Sequence, residues 1–134
     1  MLKAELGKEI LVTVVNDIGV LADITKAVAE KGISILAASC WVEGEKGIIH
    51  LVTDDNLRAG DALRKKKLDV KEMKVVLAEL PHKPGMLKHL AETLSAAQID
   101  IHHLYASADV NAPKCLLVFS SSDNDRAMVE INRK

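Results

Sequence analysis

The feature that most constrains this chain is an internal repeat with an offset of 66 residues. A constant offset that covers a glycine turn, an amphipathic run and two strand patterns indicates two similar folding units in the 134 residues. Shifting the sequence by 66 places Gly19-Val20-Leu21 on Gly85-Met86-Leu87, Ile33-Ser34-Ile35 on Ile99-Asp100-Ile101, and Leu51-Val52 on Leu117-Val118. We therefore predict one unit over 1–73 and a second over 74–134, fused without a Pro/Ser-rich linker.

The first unit has the pattern βαββαβ. The segment 9–15 is rich in β-branched residues and ends at the turn-formers Asn16, Asp17 and Gly19, which predicts a strand followed by a helix from Val20. Gly32 is placed to end that helix. Strands are predicted over 33–42, 47–53 and 68–73, and a helix over 57–66 after the capping residues Asp54-Asp55-Asn56.

The second unit repeats this pattern but stops early. Strands are predicted over 75–80, 99–108 and 114–120, with helices from Met86 and, after Asp123-Asn124-Asp125, to about Arg133. Asn111-Ala112-Pro113 forms the bend of the second hairpin. Because no fourth strand follows, one sheet edge is open unless a linker segment or another subunit covers it. The predicted class is α+β: two ferredoxin-like units in tandem, with antiparallel sheets and helices on one face.

Composition narrows the possible functions. Hydrophobic residues make up 49% and charged residues 28%, enough apolar surface for a globular core. The net charge is −1 and the basic residues are scattered apart from Arg64-Lys65-Lys66-Lys67, so nucleic acid is not expected as a partner. Cys40 and Cys115 are expected to be free thiols. The first residues lack the apolar run of a signal peptide or membrane anchor, which predicts a cytoplasmic protein without a membrane partner.

A ligand site is predicted at the two turns between first strand and first helix, because they recur in both halves with turn chemistry. A helix N-terminus presents N–H groups and the positive end of its dipole to a carboxylate. Ser34 or Asp100 is placed to accept an ammonium group. The alternative is that these segments only build a turn and start a helix. The candidate residues are Asn16, Asp17, Ile18, Gly19, Val20 and Leu21 in the first turn, and His82, Lys83, Pro84, Gly85, Met86 and Leu87 in the second.

Two segments of the second half resemble a known family. Lys83-Pro84-Gly85-Met86-Leu87 and Ala97-Gln98-Ile99-Asp100-Ile101 are similar to the K-P-G-x-L and G-I-N-I patterns of the ACT domain family. The resemblance covers nearly the whole chain and is strongest to tandem ACT proteins. It implies a regulatory protein that binds an amino acid, forms a homodimer or higher oligomer, and acts on a metabolic enzyme or regulator.

The resemblance also implies where the ligand lies, namely at an interface between two ACT units. By position, Asn16 with Ser34 and His82 with Asp100 would contact it. The chain departs from the family pattern at Ile18, where proline is usual, and at Ser34 and Asp100, where asparagine is common.

Other functions lack the residues that they need. The five histidines have no Asp, Glu or Cys at metal-ligand spacing, so no metal and no cofactor are predicted. Ser120-Ser121-Ser122 has no companion base, so no catalytic residue is assigned and the chain is predicted not to be an enzyme. RNA-recognition modules of this topology stack bases on strand aromatics, and here the matching strands offer only Phe119. Two hypotheses remain: an amino-acid-binding regulator, and an assembly module without a small-molecule ligand.

Overall fold

The computed structural model describes residues 2–107 and 111–133, which form six strands and four helices in the order βαββαβαββα. The strands are β1 (Lys3–Val15), β2 (Ile35–Glu43), β3 (Lys46–Thr53), β4 (Asp69–Pro81), β5 (Ile101–Ser107) and β6 (Lys114–Ser121). The helices are α1 (Val20–Ala29), α2 (Asn56–Arg64), α3 (Met86–Ala96) and α4 (Asn124–Asn132). The predicted α+β class and the βαββαβ-like order of elements are confirmed.

Two strands are longer than the sequence pattern predicted. β1 begins at Lys3 instead of Glu9, and β4 is one strand of 13 residues where separate strands over 68–73 and 75–80 were expected. The strand predicted over 99–108 begins at Ile101, and Ala108 lies outside the described residues. β1 and β4 are long because each serves two folding units.

The chain forms two compact units. The first unit is Lys8–Met73, and the second unit is Lys74–Lys134 together with Met1–Gly7. One boundary falls between residues 73 and 74, where the repeat places it. The first seven residues, which the prediction gave to the first unit, lie instead with the second. The chain thus passes from one unit to the other within β1 and again within β4.

The first unit has the strand order β2-β3-β1-β4, with antiparallel pairing of β3 to both β1 and β2. Alternate residues of β1 face the helices, since side chains of a strand point to opposite faces in turn. The core between this sheet and the helices α1 and α2 is aliphatic throughout. It contains Ile10, Val12 and Val14 from β1, Ile24 and Val28 from α1, Ile49 and Leu51 from β3, and Leu63 from α2.

The second unit has the order β1-β4-β6-β5, and its edge position beside β4 is filled by residues 3–7. As predicted, the described part of the chain has no strand after α4. The predicted open edge is nevertheless covered, because Ala4 packs into the cluster around Phe119 and Leu90. The segment that completes this sheet therefore comes from the other end of the sequence.

The repeat offset changes within each unit. Ala38 pairs with Leu51 in the first hairpin and Leu104 pairs with Phe119 in the second, so β2 and β5 are 66 apart but β3 and β6 are 68 apart. The predicted match of Leu51 to Leu117 is therefore wrong, and its structural equivalent is Phe119. Two more residues therefore separate the paired positions of β5 and β6 than those of β2 and β3.

Candidate functional site

Both candidate turns end in a left-handed glycine. Gly19 has φ 89° and ψ −3°, and Gly85 has φ 88° and ψ −4°. A Cβ added at either glycine would meet nothing within 4 Å. Glycine is therefore favoured by the backbone conformation and not by lack of space, because L-residues with a side chain are strained at positive φ.

The two helices that follow these turns start without a side-chain cap, whereas the other two helices have one. Gly19 and Gly85 begin α1 and α3 and offer no side-chain acceptor. Asp55 caps α2 by accepting from the Arg58 N–H at 3.2 Å, and Asp123 caps α4 in the same way. Because the first N–H groups of a helix lack partners within it, the starts of α1 and α3 are suited to an external anion.

The first turn carries negative charge. Asp17 and Ile18 are exposed, the latter fully at 107%, and Asp23 lies in the first turn of α1. The Asn16 N–H donates to the Glu45 carbonyl at 2.9 Å, which ties the turn to the β2–β3 connection. Two carboxylates beside the helix start oppose the binding of a further carboxylate.

The second turn carries positive charge. His82, Lys83 and Pro84 are exposed, and the first turn of α3 contains no acidic residue. The His82 N–H donates to the Pro113 carbonyl at 2.9 Å, a hydrogen bond equivalent to that from Asn16 to Glu45 in the first turn. Met86 packs partly against the second unit's core. This turn is the better electrostatic match for an anionic group.

The proposed ammonium acceptors lie at the starts of the strands that follow α1 and α3. The Ser34 N–H donates to Asp54 Oδ1 at 3.1 Å, and the Asp100 N–H donates to Ser122 Oγ at 3.0 Å. The Asp100 side chain is 81% exposed, with Oδ2 3.7 Å from His102 Nε2. The backbone of both residues is thus fixed while the Asp100 carboxylate faces solvent. Within the described residues, no hydrogen bond joins Asn16 to Ser34 or His82 to Asp100.

A second repeated motif was missed by the sequence reasoning. Asp55-Asn56-Leu57-Arg58 and Asp123-Asn124-Asp125-Arg126 share the pattern D-N-x-R, but only at the offset of 68. The asparagine side chains donate to the Lys8 and Lys74 carbonyls, and the arginines donate to the Lys31 and Ala97 carbonyls. These bonds fix the starts of α2 and α4 to backbone carbonyls of their own units, so the motif has a structural role.

Comparison with known proteins assigns the first unit. Residues 8–70 match the ACT domain family. The match covers nearly all of the first unit, which we call the ACT domain. The match includes the first turn and ends inside β4. A search of curated protein sequences finds no significant match.

Solved structures share the fold of the whole chain. Protein BT0572 from Bacteroides thetaiotaomicron is 24% identical with a TM-score of 0.87, over 95% of this chain and 87% of that one. The regulatory subunit of aspartate kinase from Thermus thermophilus is 12% identical with a TM-score of 0.69, over 96% and 93%. The corresponding subunit from Thermus flavus is 13% identical with a TM-score of 0.66, over 97% and 94%. At these identities the similarity establishes the fold, including that of the second unit.

The ACT domain contains a buried polar pair that the second unit lacks. His50 Nδ1 lies 2.7 Å from Glu9 Oε1, and the two residues are 8% and 3% exposed. The Trp41 ring stacks on His50 with a centroid distance of 5.2 Å. The equivalents of Glu9 and His50 in the second unit are Val75 and Val118, each 1% exposed. The pair therefore marks a chemical difference between two otherwise similar folds.

In the segments 2–107 and 111–133, no three His, Cys, Asp or Glu side chains are grouped so that they could hold a metal ion. Cys40 and Cys115 are free thiols. None of the described helices is long and apolar enough to cross a membrane.

Proposed function

We propose that this chain is a non-catalytic regulatory protein that binds an amino acid at the start of α3 or α1 and thereby changes its assembly or a partner's activity. The observation that carries the proposal is the contrast among the four helices. Two start at an exposed left-handed glycine without a side-chain cap, and two start with a capping aspartate. In both units the uncapped start is the one that follows the first strand of the repeat.

The turn at 82–85 is proposed as the primary site. An amino acid carboxylate at the start of α3 meets Lys83 and no acid in the first helical turn, whereas at α1 it meets Asp17 and Asp23. The exposed Asp100 carboxylate of the same unit is proposed to accept the ligand's ammonium group. Ser34, its equivalent in the ACT domain, carries no charge, so the turn at 16–19 is proposed to be the weaker site.

Regulation of a metabolic enzyme is proposed from the nature of the structural relatives. Two of them are regulatory subunits of aspartate kinase. For this chain we propose a partner of the same general kind, a homodimeric or higher assembly, and a cytoplasmic location. Ligand binding would favour one arrangement of subunits, with a coupling of about 1–3 kcal/mol.

A second candidate function is an assembly module without a ligand. The observation that favours it is the exposed apolar surface of β2, where Leu36 is 53% and Val42 is 56% exposed. Large exposed apolar side chains on a strand mark surfaces used for association. Saturable amino-acid binding separates the two candidates.

The test is a thermal-shift screen of the twenty amino acids followed by calorimetry. A ligand at about 100 times its Kd raises the free energy of unfolding by about 2.7 kcal/mol, a shift of several degrees in Tm. We expect Lys83→Ala and Asp100→Asn each to weaken the best hit several-fold. Lys26→Ala is the matched control and leaves affinity unchanged, because Lys26 lies in the last turn of α1, where it pairs with Glu30 at 3.9 Å. If none of the twenty amino acids raises Tm at millimolar concentration, the assembly module would be favoured.

A further inference from the structure

The edge position that residues 3–7 occupy in the second unit is a slot for one extended segment. The slot lies beside β4, and Asn132 of α4 lines it. The Asn132 side chain accepts from the Ala4 N–H at 2.8 Å and donates to the Ala4 carbonyl at 2.8 Å. One side-chain amide thus binds both polar backbone groups of one strand residue. We call this position the strand slot.

The strand slot selects its occupant by size at two positions. Ala4 is 6% exposed within the second unit's core cluster, so a larger side chain there would not fit without repacking. A Cβ at Gly7 would lie 2.7 Å from Leu77 Cδ1 and 3.0 Å from its Cγ. The slot therefore favours a small residue and, three positions later, a glycine, because a side chain at the second position would displace Leu77. Ala4-Glu5-Leu6-Gly7 of this chain has both.

The occupant is anchored less firmly than the rest of the same strand. Lys3 and Glu5 are exposed and Leu6 is 46% exposed, so Ala4 is the single fully buried residue of 3–7. In contrast, β1 beyond the unit boundary contributes three buried side chains, Ile10, Val12 and Val14, to the ACT domain core. The change from weak to strong anchoring coincides with the boundary between residues 7 and 8.

We propose that the strand slot also accepts residues 3–7 of a second copy of this chain, which produces a reciprocal strand-exchanged dimer. A second copy supplies the same alanine, the same glycine and the same backbone groups, so every contact of the slot is remade. Exchange of an identical element between two copies gives a closed, symmetric dimer at low cost. Within one chain the slot is filled at a high effective concentration, so the exchanged dimer forms when chains refold together at high concentration. This proposal does not depend on ligand binding.

The first measurement is the mass of the full chain after refolding from denaturant at graded concentrations, by size-exclusion chromatography with light scattering. We expect a dimer fraction that grows with refolding concentration and persists after dilution, since exchange back requires the segment to leave its slot. The monomer and the exchanged dimer contain the same slot contacts, so Asn132→Ala should act on the rate of exchange: the isolated dimer should return to monomer several-fold faster after dilution. Glu5→Ala, at an exposed position of the same segment, leaves that rate unchanged. A chain that stays monomeric at all concentrations, or a dimer whose return to monomer is insensitive to Asn132→Ala, would overturn the proposal.

A mixing experiment identifies which segment fills which slot. A Gly7→Val chain has an oversized segment and an unchanged slot, and a Leu77→Ala chain has an unchanged segment and an enlarged slot. In the mixed dimer each slot receives the segment that fits it, so we expect the two chains refolded together to give a mixed dimer that exceeds either homodimer several-fold by native mass spectrometry. If Gly7→Val does not fold by itself, the milder Gly7→Ala takes its place. A mixed dimer no more abundant than random pairing of the two chains produces would show that another surface joins the copies and would refute strand exchange.

Discussion

The buried pair of the ACT domain provides a sharp energetic test, because the second unit shows what can replace it. Glu9 and His50 are joined by a 2.7 Å hydrogen bond, and valine stands at both equivalent positions of the second unit. Glu9→Val or His50→Val alone removes one side of a hydrogen bond at a site less than a tenth exposed. Each single change should cost about 1–3 kcal/mol of unfolding free energy.

The double variant should cost less than the sum of the two single variants, since replacing both partners with apolar groups of suitable size is nearly neutral. The coupling expected from the double-mutant cycle is about 1–3 kcal/mol. For a chain of this length, 1 kcal/mol corresponds to about 3–4 °C in Tm. Urea unfolding followed by circular dichroism gives the free energies. Fluorescence of Trp41, the single tryptophan, reports the local environment of His50. Single costs that add to within about 0.5 kcal/mol would refute the reasoning.

Three smaller changes test other parts of the structure. Asp123→Ala removes the cap of α4 and should cost about 1 kcal/mol by chemical denaturation, while Asp123→Asn, which keeps an acceptor, costs less; equal losses would contradict a capping role. Gly85→Ala should cost about 1–2 kcal/mol from positive φ alone, and Gly85→Asn should recover part of it, as measured by Tm; no loss would mean that the turn relaxes. Gly7→Ala should destabilise the chain by forcing Leu77 aside, and Leu77→Ala should restore part of that loss in a double-mutant cycle; unchanged stability would show that Leu77 moves freely.

The local architecture could be predicted from sequence because its signals are local. A few adjacent residues determine each of the turns at Asn16–Gly19 and His82–Gly85, and the helices α1 and α3 begin where those residues predict. The capping aspartates were also predicted as part of N-cap segments, and the structure gives each one its N–H donor. The site residues themselves remain a prediction, supported by geometry and charge.

The placement of residues 3–7 in the second unit was missed because the residues that they contact, such as Asn132, lie far away in the sequence. Leu2, Ala4 and Leu6 alternate with charged residues, a period of two that is typical of a strand. Alternation shows that a segment is extended, but not which strand it lies beside. The D-N-x-R motif was missed for a related reason: two additional residues between β5 and β6 shift its second copy from an offset of 66 to one of 68. The buried Glu9 and His50 gave no signal at all, since neither residue's spacing distinguishes a core pair from a surface pair.

The bond between Ala4 and Asn132 spans 128 residues of sequence, and this sets an order of events during synthesis. A ribosome adds about 5–20 residues per second, so Ala4 leaves it several seconds or more before Asn132 exists. The ACT domain has all of its residues by position 73 and can close while the rest of the chain is still being made. The second unit closes last. Its first strand must wait in the nascent chain for its partners, and during that interval neighbouring chains on one message are within reach of each other.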